Sequence, residues 1–390
     1  MVLGSLSPRI DLEQSKKQAK DLLKAFHTGD PEAFERVRWN HPRFRGLADD
    51  QILGRRFVLA DAQLVVARLH EFESWPKLLR HIERLERRDS RVQRFEDAAD
   101  AIVAGDVATL RTLLRDHPDL VRERSTRAHA APLLHYVAAN GVEGYRQISP
   151  HNAVEIATVL LDAGAEVDAT SEAYGGGWTA LGLASTSTPP HRAGVQIPLI
   201  ELLLERGAAI DGVRPGRGSV RDALANGCPE AARALADRGA RVDDVIAAAG
   251  VGRLDLVEQL ADGASERDLE RALIAAAGAP GAYDVVEHLL DRGVDVAAAT
   301  GWTALHSATG SADLRVIDLL IRRDAPLEEK NMYGGTVLCQ AIWNGFHGDP
   351  ARVGDSANVI EALISAGART DVYPQMTQHI DEIRRRAGGR

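Results

Sequence analysis

Apolar residues along this chain recur at helical rather than alternating spacing, in short blocks separated by glycine or polar turns. The stretch IDLEQSKKQAKDLLKAFHTG, starting at Ile10, is amphipathic with that period and predicts a helix. Asp30-Pro31 then offers an N-cap followed by a proline at the first helical position. FVLADAQLVVARLH, from Phe57, predicts a more apolar helix, and Ser74 is placed to cap a helix over WPKLLRHIERLERR. Near the other end, TQHIDEIRRRA is again amphipathic.

Between these ends one phrase repeats: an apolar helix, then Gly-Ala or a close variant, then an acidic or apolar tail. It appears as LLDAGAEVD, LLERGAAID, LADRGARVD, QLADGASERD, LLDRGVDV, LLIRRDAPLE and LISAGARTD. The aligned residues are Gly164, Gly207, Gly239, Gly263, Gly293, Asp324 and Gly367, at intervals of 43, 32, 24, 30, 31 and 43. Several intervals lie near one helical-hairpin unit of roughly 33 residues, so the chain reads as a periodic array. Each glycine is expected to supply a left-handed cap after the second helix of its unit.

A second phrase opens the units. It is clearest at Gly177-Trp178-Thr179-Ala180-Leu181 and at Gly301-Trp302-Thr303-Ala304-Leu305-His306. Weaker copies are Pro132-Leu133-Leu134-His135 and Gly335-Thr336-Val337-Leu338-Cys339. Threonine here is expected to cap the first helix, leucine to enter the core, and histidine to bond back to a loop of its own or a neighbouring unit.

Together these phrases resemble the ankyrin repeat consensus G-x-T-P-L-H-x-A-A-x-x-G…V-x-x-L-L-x-x-G-A-D-V. The best matches are GWTALHSATGSADLRVIDLLIRRDAPLE and AAAGVGRLDLVEQLADGA. The resemblance runs over roughly residues 92–372, about eight units, with histidine lost at Gly182 and Cys339, where looser loops are expected. It implies an all-α solenoid of helix-loop-helix units with short β-hairpin-like tips. The expected division is a helical capping or docking module over 1–90, the array over 91–372 and a capping helix over 373–390. The wording DAQLVVARLHEFESWPKL also resembles the helical leader of a group of bacterial ankyrin proteins, which implies bacterial origin and an appended module.

Charge narrows the partner class. Forty-seven basic side chains face 56 acidic ones, a net of −9, which argues against a general nucleic-acid or anionic-membrane binder. Arg384 to Arg390 could form a local basic patch, with a charged, solvated terminal helix as the simpler reading. The two cysteines, Cys228 and Cys339, have no metal spacing and fit buried thiols in a reducing cytoplasm. No apolar run approaches the length of a membrane span, and no signal-peptide core is seen at the start.

Three units are lengthened, at 142–153, 187–197 and 346–356, each with one histidine: His151, His191 and His347. At about 10 Å per unit, His347 would lie roughly 50 Å from His191, which excludes one shared metal site; a His151–His191 pair stays geometrically possible. No metal or cofactor is expected.

In the resembled family, partners contact the loop tips and the groove face of the first helices. That implication singles out Trp178 and Trp302 between glycine and threonine, and Met332 and Tyr333 at the tip before Thr336. Trp343 and Asn140 occupy slots before an inter-helix turn. Aromatic residues are only 5% of the chain, so their recurrence at such slots favours a protein or peptide partner. The competing reading is an enzyme or small-molecule sensor. Its pocket would be walled by the 142–153 and 187–197 insertions and the Tyr174-Gly175-Gly176-Gly177 loop, using Tyr145, Arg146, His151, Tyr174, His191 and Arg192. No nucleophile–base pairing, paired-carboxylate motif or HExxH accompanies those residues, and no catalytic residue is assigned. A binding scaffold without catalysis is the favoured expectation.

Overall fold

The computed structural model describes residues 10–87, 89–214, 220–348 and 353–388. All regular structure among them is helical, apart from two isolated antiparallel bridges, Arg124 to Pro132 and Ser171 to Trp178. The chain divides into two compact units, Met1–Arg217 and Gly218–Arg390.

The first unit opens with helices Leu12–His27, Pro31–Asn40, Asp49–Leu53, Leu59–Leu69 and Trp75–Leu85. Asp11 caps the first through the Gln14 amide at 2.7 Å, and Asp30 caps the second, with Pro31 at its start. Ser74 precedes the helix Trp75–Leu85 as expected, but its hydroxyl makes no capping hydrogen bond; Pro76 in the first turn sets that start instead. Four phenylalanines close this part: Phe26 stacks on Phe57 at 4.2 Å and meets Phe34 and Phe44 edge-on.

Three helix pairs follow in the same unit: Arg91–Ala104 with Val107–Asp116, Leu133–Tyr136 with Ala153–Asp162, and Ala180–Ser185 with Gln196–Glu205. The first two insertions fall between the helices of a pair. One holds the 3-10 turn Gly144–Arg146, the other the short helix Thr188–Arg192.

The second unit holds five pairs among its described residues: Val220–Ala225 with Pro229–Asp237, Val245–Gly250 with Leu254–Leu260, Glu266–Gly278 with Tyr283–Asp291, Ala304–Ser311 with Leu314–Arg322, and Val337–His347 with Val353–Ser365. Residues 349–352 of the third insertion lie outside the described residues. A terminal helix, Met376–Gly388, buries Met376, Ile380 and Ile383 in the apolar core that runs through the unit. Each aliphatic side chain buried this fully contributes about 1.5–3 kcal/mol. On its outer side Arg384, Arg385 and Arg386 pair with Glu361, Asp381 and Glu382, so they form a solvated, ion-paired helix face. Gly389 and Arg390 lie outside the described residues.

The repeated glycines act as the sequence predicts at five of six positions. Gly164, Gly207, Gly239, Gly293 and Gly367 all take a left-handed backbone, and Asp324 does so in the remaining slot. In each case the next residue's amide bonds the carbonyl of a leucine five positions earlier, as in Ala165 to Leu160 at 3.0 Å and Ala325 to Leu320 at 3.0 Å. Gly263 departs from the rule. It ends a 3-10 turn, Ala261–Gly263, and Ser265 caps the next helix at once, so no tip follows it; the 24-residue interval before it is short because Asp244 already caps the next helix soon after Gly239.

The opening phrase also does its local work. Thr179, Thr303 and Thr336 each accept the amide three residues on, at 3.3–3.4 Å. His135 and His306 reach the next tip, bonding the carbonyls of Ala169 at 2.8 Å and Gly335 at 3.2 Å. Burial holds both imidazoles below the usual histidine pKa, His135 at about 4, so both are neutral near pH 7. Cys228 is buried as expected, whereas Cys339 is only half-buried, its sulfur accepting the Thr336 hydroxyl.

Candidate partner-binding surface

The tip between the last two repeat pairs of the second unit is built by one buried side chain. Asn331 is 7% exposed, and its Oδ1 accepts the amides of Tyr333 at 3.0 Å and Gly335 at 3.1 Å. Gly334 takes the left-handed backbone that closes this turn, and the Met332 amide donates to the Gly301 carbonyl of the preceding tip at 2.8 Å. The turn therefore cannot bury its own apex. Met332 is 67% exposed and Tyr333 80%. The half-buried Trp302 ring meets Tyr333 edge-on at 6.0 Å and His306 at 5.9 Å. The result is a hydrogen-bonded tip presenting a phenol and a thioether beside an indole. Such pre-organised aromatic surface suits an interface hot spot.

Trp343 is also exposed, at 54%, and stacks on His347 at 4.8 Å. It lies on the helix Val337–His347, where Asn344 ties that helix to Thr309 through bonds of 3.1 Å to its carbonyl and hydroxyl.

Two of the expected contact residues face into the fold. Trp178 is only 6% exposed: its carbonyl bridges to Ser171 and its ring lies beside Tyr174, so it staples its tip from within. Asn140 is spent on internal bonds, donating to the Thr186 hydroxyl at 3.2 Å and accepting from the Tyr174 hydroxyl at 2.8 Å.

Of the residues expected to line the alternative pocket, Arg146 is engaged inside the fold. Arg146 is 2% exposed, and Nε, Nη1 and Nη2 all donate, to Asp100, Glu96 and Glu143, at 2.6–3.3 Å. No edge of that guanidinium is left for a ligand. The Tyr145 ring lies under it, with Arg127 near its hydroxyl. His151 contacts the Ala193 carbonyl at 3.3 Å, while His191 and Arg192 are exposed on the short helix. The amides of Gly176 and Gly177 donate to the Ala173 and Ser171 carbonyls, and Arg214 covers the loop by bonding the Gly175 and Gly176 carbonyls. Two of the loop's amides are thus already used within the tip. Among the described residues no group of three or more His, Cys, Asp or Glu side chains is arranged to hold a metal ion.

Sequence reading missed the charge cluster that organises this region. Arg127 bonds Glu96 at 2.5 Å and lies 2.7 Å from Glu143, and both carboxylates also reach Arg146. Burial alone would raise both carboxyls, but the two guanidiniums hold them below the usual range. Neighbouring contacts join the leading helices to the first repeats: Ala128 donates to the Glu71 carbonyl at 2.8 Å, and His81 bonds the Thr126 hydroxyl at 2.7 Å. The 142–153 insertion is thus a buried ionic clamp. In sequence, Arg146 is read as a pocket residue, while nothing local marks Glu96, Arg127 and Glu143 as its partners.

Among known proteins, a model described as ankyrin repeats (3 copies) matches residues 273–373. No curated protein matches the chain. The crystal structure of the human ASB11 ankyrin repeat domain is similar over 70% of this chain and 98% of that one, at 21% identity and a TM-score of 0.33. The matched segment holds the Thr303 and Thr336 caps, the His306 link and the left-handed helix ends at Gly293, Asp324 and Gly367, and this segment is similar to ankyrin repeats.

Proposed function

We propose that this chain is a non-enzymatic scaffold that holds a protein or peptide partner at the Asn331–Gly335 tip of its second unit. Ankyrin repeats generally mediate protein–protein interaction, and the matched segment contains this tip. The observation that carries the reading is the exposure of Tyr333 and Met332, 80% and 67%, on a turn already locked by Asn331. Ordering such a tip costs little on binding, and a rigid aromatic ring there gives a partner a fixed contact. Trp302 supports the ring from behind, and Trp343 is a second contact candidate on the neighbouring helix.

The test is affinity capture with wild type, Tyr333→Ala/Met332→Ala, and Trp343→Ala side by side. A partner kept by wild type and lost by the tip variant supports the proposal. Identical partner sets for wild type and the tip variant would sink it.

A further inference from the structure

The chain carries a net charge of −9, yet one hollow on its first unit has arginine as its only charged lining. A cavity of about 230 Å³ is walled by Arg43, Arg55 and Arg56 with Phe44. Packing explains the crowding. Phe44 and Phe57 are both buried, 1% and 2% exposed, and their rings meet edge-on at 5.7 Å. Burying these two rings side by side draws their chain neighbours, Arg43 on one strand of chain and Arg55-Arg56 on the other, to the same surface.

Only one of the three guanidiniums has a counter-charge there. Arg43 Nη2 lies 2.6 Å from Asp61 Oδ1. That carboxylate is already engaged by the Val58 amide at 2.9 Å and by His41 Nε2 at 3.2 Å. The side chains of Arg55 and Arg56 have no hydrogen-bond or ion-pair partner among the described residues. A cleft lined by one sign of charge concentrates opposite charge, and guanidinium forks match carboxylates two bonds at a time. Near Arg55 and Arg56 in the chain, Leu53, Val58 and Leu59 are 59%, 36% and 39% exposed.

We infer that this hollow is a second docking site, for an acidic peptide segment whose carboxylates engage Arg55 and Arg56 while an apolar residue covers Leu53 or Val58. The apolar flank favours a peptide over a free oxyanion, which would leave it wet. Phe44 is too deeply buried to stack a nucleobase, and the acidic net charge opposes an anionic bilayer.

Fluorescence anisotropy on the full chain tests this, using a fluorescein-labelled synthetic peptide of glutamates interrupted by leucines and the same peptide with Gln for Glu. The expected result is binding of the Glu peptide that weakens with salt and drops about tenfold or more in Arg55→Ala/Arg56→Ala. Arg55→Lys/Arg56→Lys should recover part of it, and Tyr333→Ala/Met332→Ala should change nothing. Because both arginines are exposed, circular dichroism should show the variants folded. Equal binding of the Gln peptide, or equal affinity of the alanine variant, overturns the inference. So does displacement of the peptide by equimolar inorganic phosphate, or arginine-dependent binding to phosphatidylserine vesicles in preference to the peptide.

Discussion

Arg146 and Glu96 lie 2.7 Å apart, both buried, and join the 142–153 insertion to the first helix of the repeats. Neither charge has water to fall back on, so each depends on the other. Arg146→Met leaves Arg127 as the one guanidinium shared by Glu96 and Glu143, with His129 and the Tyr136 hydroxyl beside Glu143. The expected cost is about 3–5 kcal/mol, read as a lower urea midpoint. A loss within the noise of an exposed substitution would mean that the clamp opens in solution.

Acid should weaken the first unit in two stages. His70, His81 and His135 are held at about pKa 4, mainly by burial, against about 6.5 when unfolded. Their folded pKa values are depressed, so the unfolded chain binds more protons and stability falls as pH drops from about 6.5 to 4. Below that, Glu96 and Glu143, also depressed, lose their contribution as they protonate. Denaturation midpoints across pH 7 to 4 should slope downward, and His81→Asn should flatten the upper stage.

Gly141 and Gly164 both have a left-handed backbone but different surroundings. A Cβ at Gly141 would sit 2.9 Å from the Ala173 Cβ, whereas at Gly164 nothing lies within 4 Å. Gly164→Ala should therefore cost about 1–2 kcal/mol from backbone strain alone, and Gly141→Ala clearly more. Equal melting-temperature losses would show that the Ala173 tip yields.

Asp324 occupies the cap slot that glycine fills elsewhere, with φ of 63°. Asp324→Gly should raise stability, by no more than about 1 kcal/mol, because it relieves a side chain in the left-handed region. A lowered melting temperature would show that the Asp324 carboxylate does local work that outweighs the strain.

His306 joins the two tips of the proposed surface. It bonds the Thr303 hydroxyl at 2.8 Å and the Gly335 carbonyl at 3.2 Å, and Trp302 rests against it. His306→Ala should lower both stability and partner capture, whereas Tyr333→Ala should lower capture with a stability change within about 0.5 kcal/mol.

The repeat was legible in the sequence because its signals are local. A glycine at a helix end, a threonine before a helix and leucines at helical spacing each satisfy backbone or core needs within a few residues. Those needs do not depend on the rest of the chain, so the caps at Gly164, Thr303 and Gly367 could be read directly. Gly263 was misread because the same glycine serves either a left-handed cap or a 3-10 turn, and the choice rests on whether a tip follows.

The candidate surfaces were only partly legible. Type and position place both Trp178 and Trp302 in the same slot of the opening phrase, yet one is buried and the other reaches Tyr333. Whether a ring is covered depends on how its own tip and the neighbouring tip fold around it, which residue type and slot do not state. Charge behaves likewise: nothing local marks Arg127 and Glu143 as buried, and Arg146, read as a pocket residue, turns out to be paired with them once the fold removes their water. From its own residues, the sequence determined the helix pairs, their caps and the periodic stack. Tertiary structure alone decided which side chains stay in water, because burial and pairing are properties of neighbours brought together only by folding.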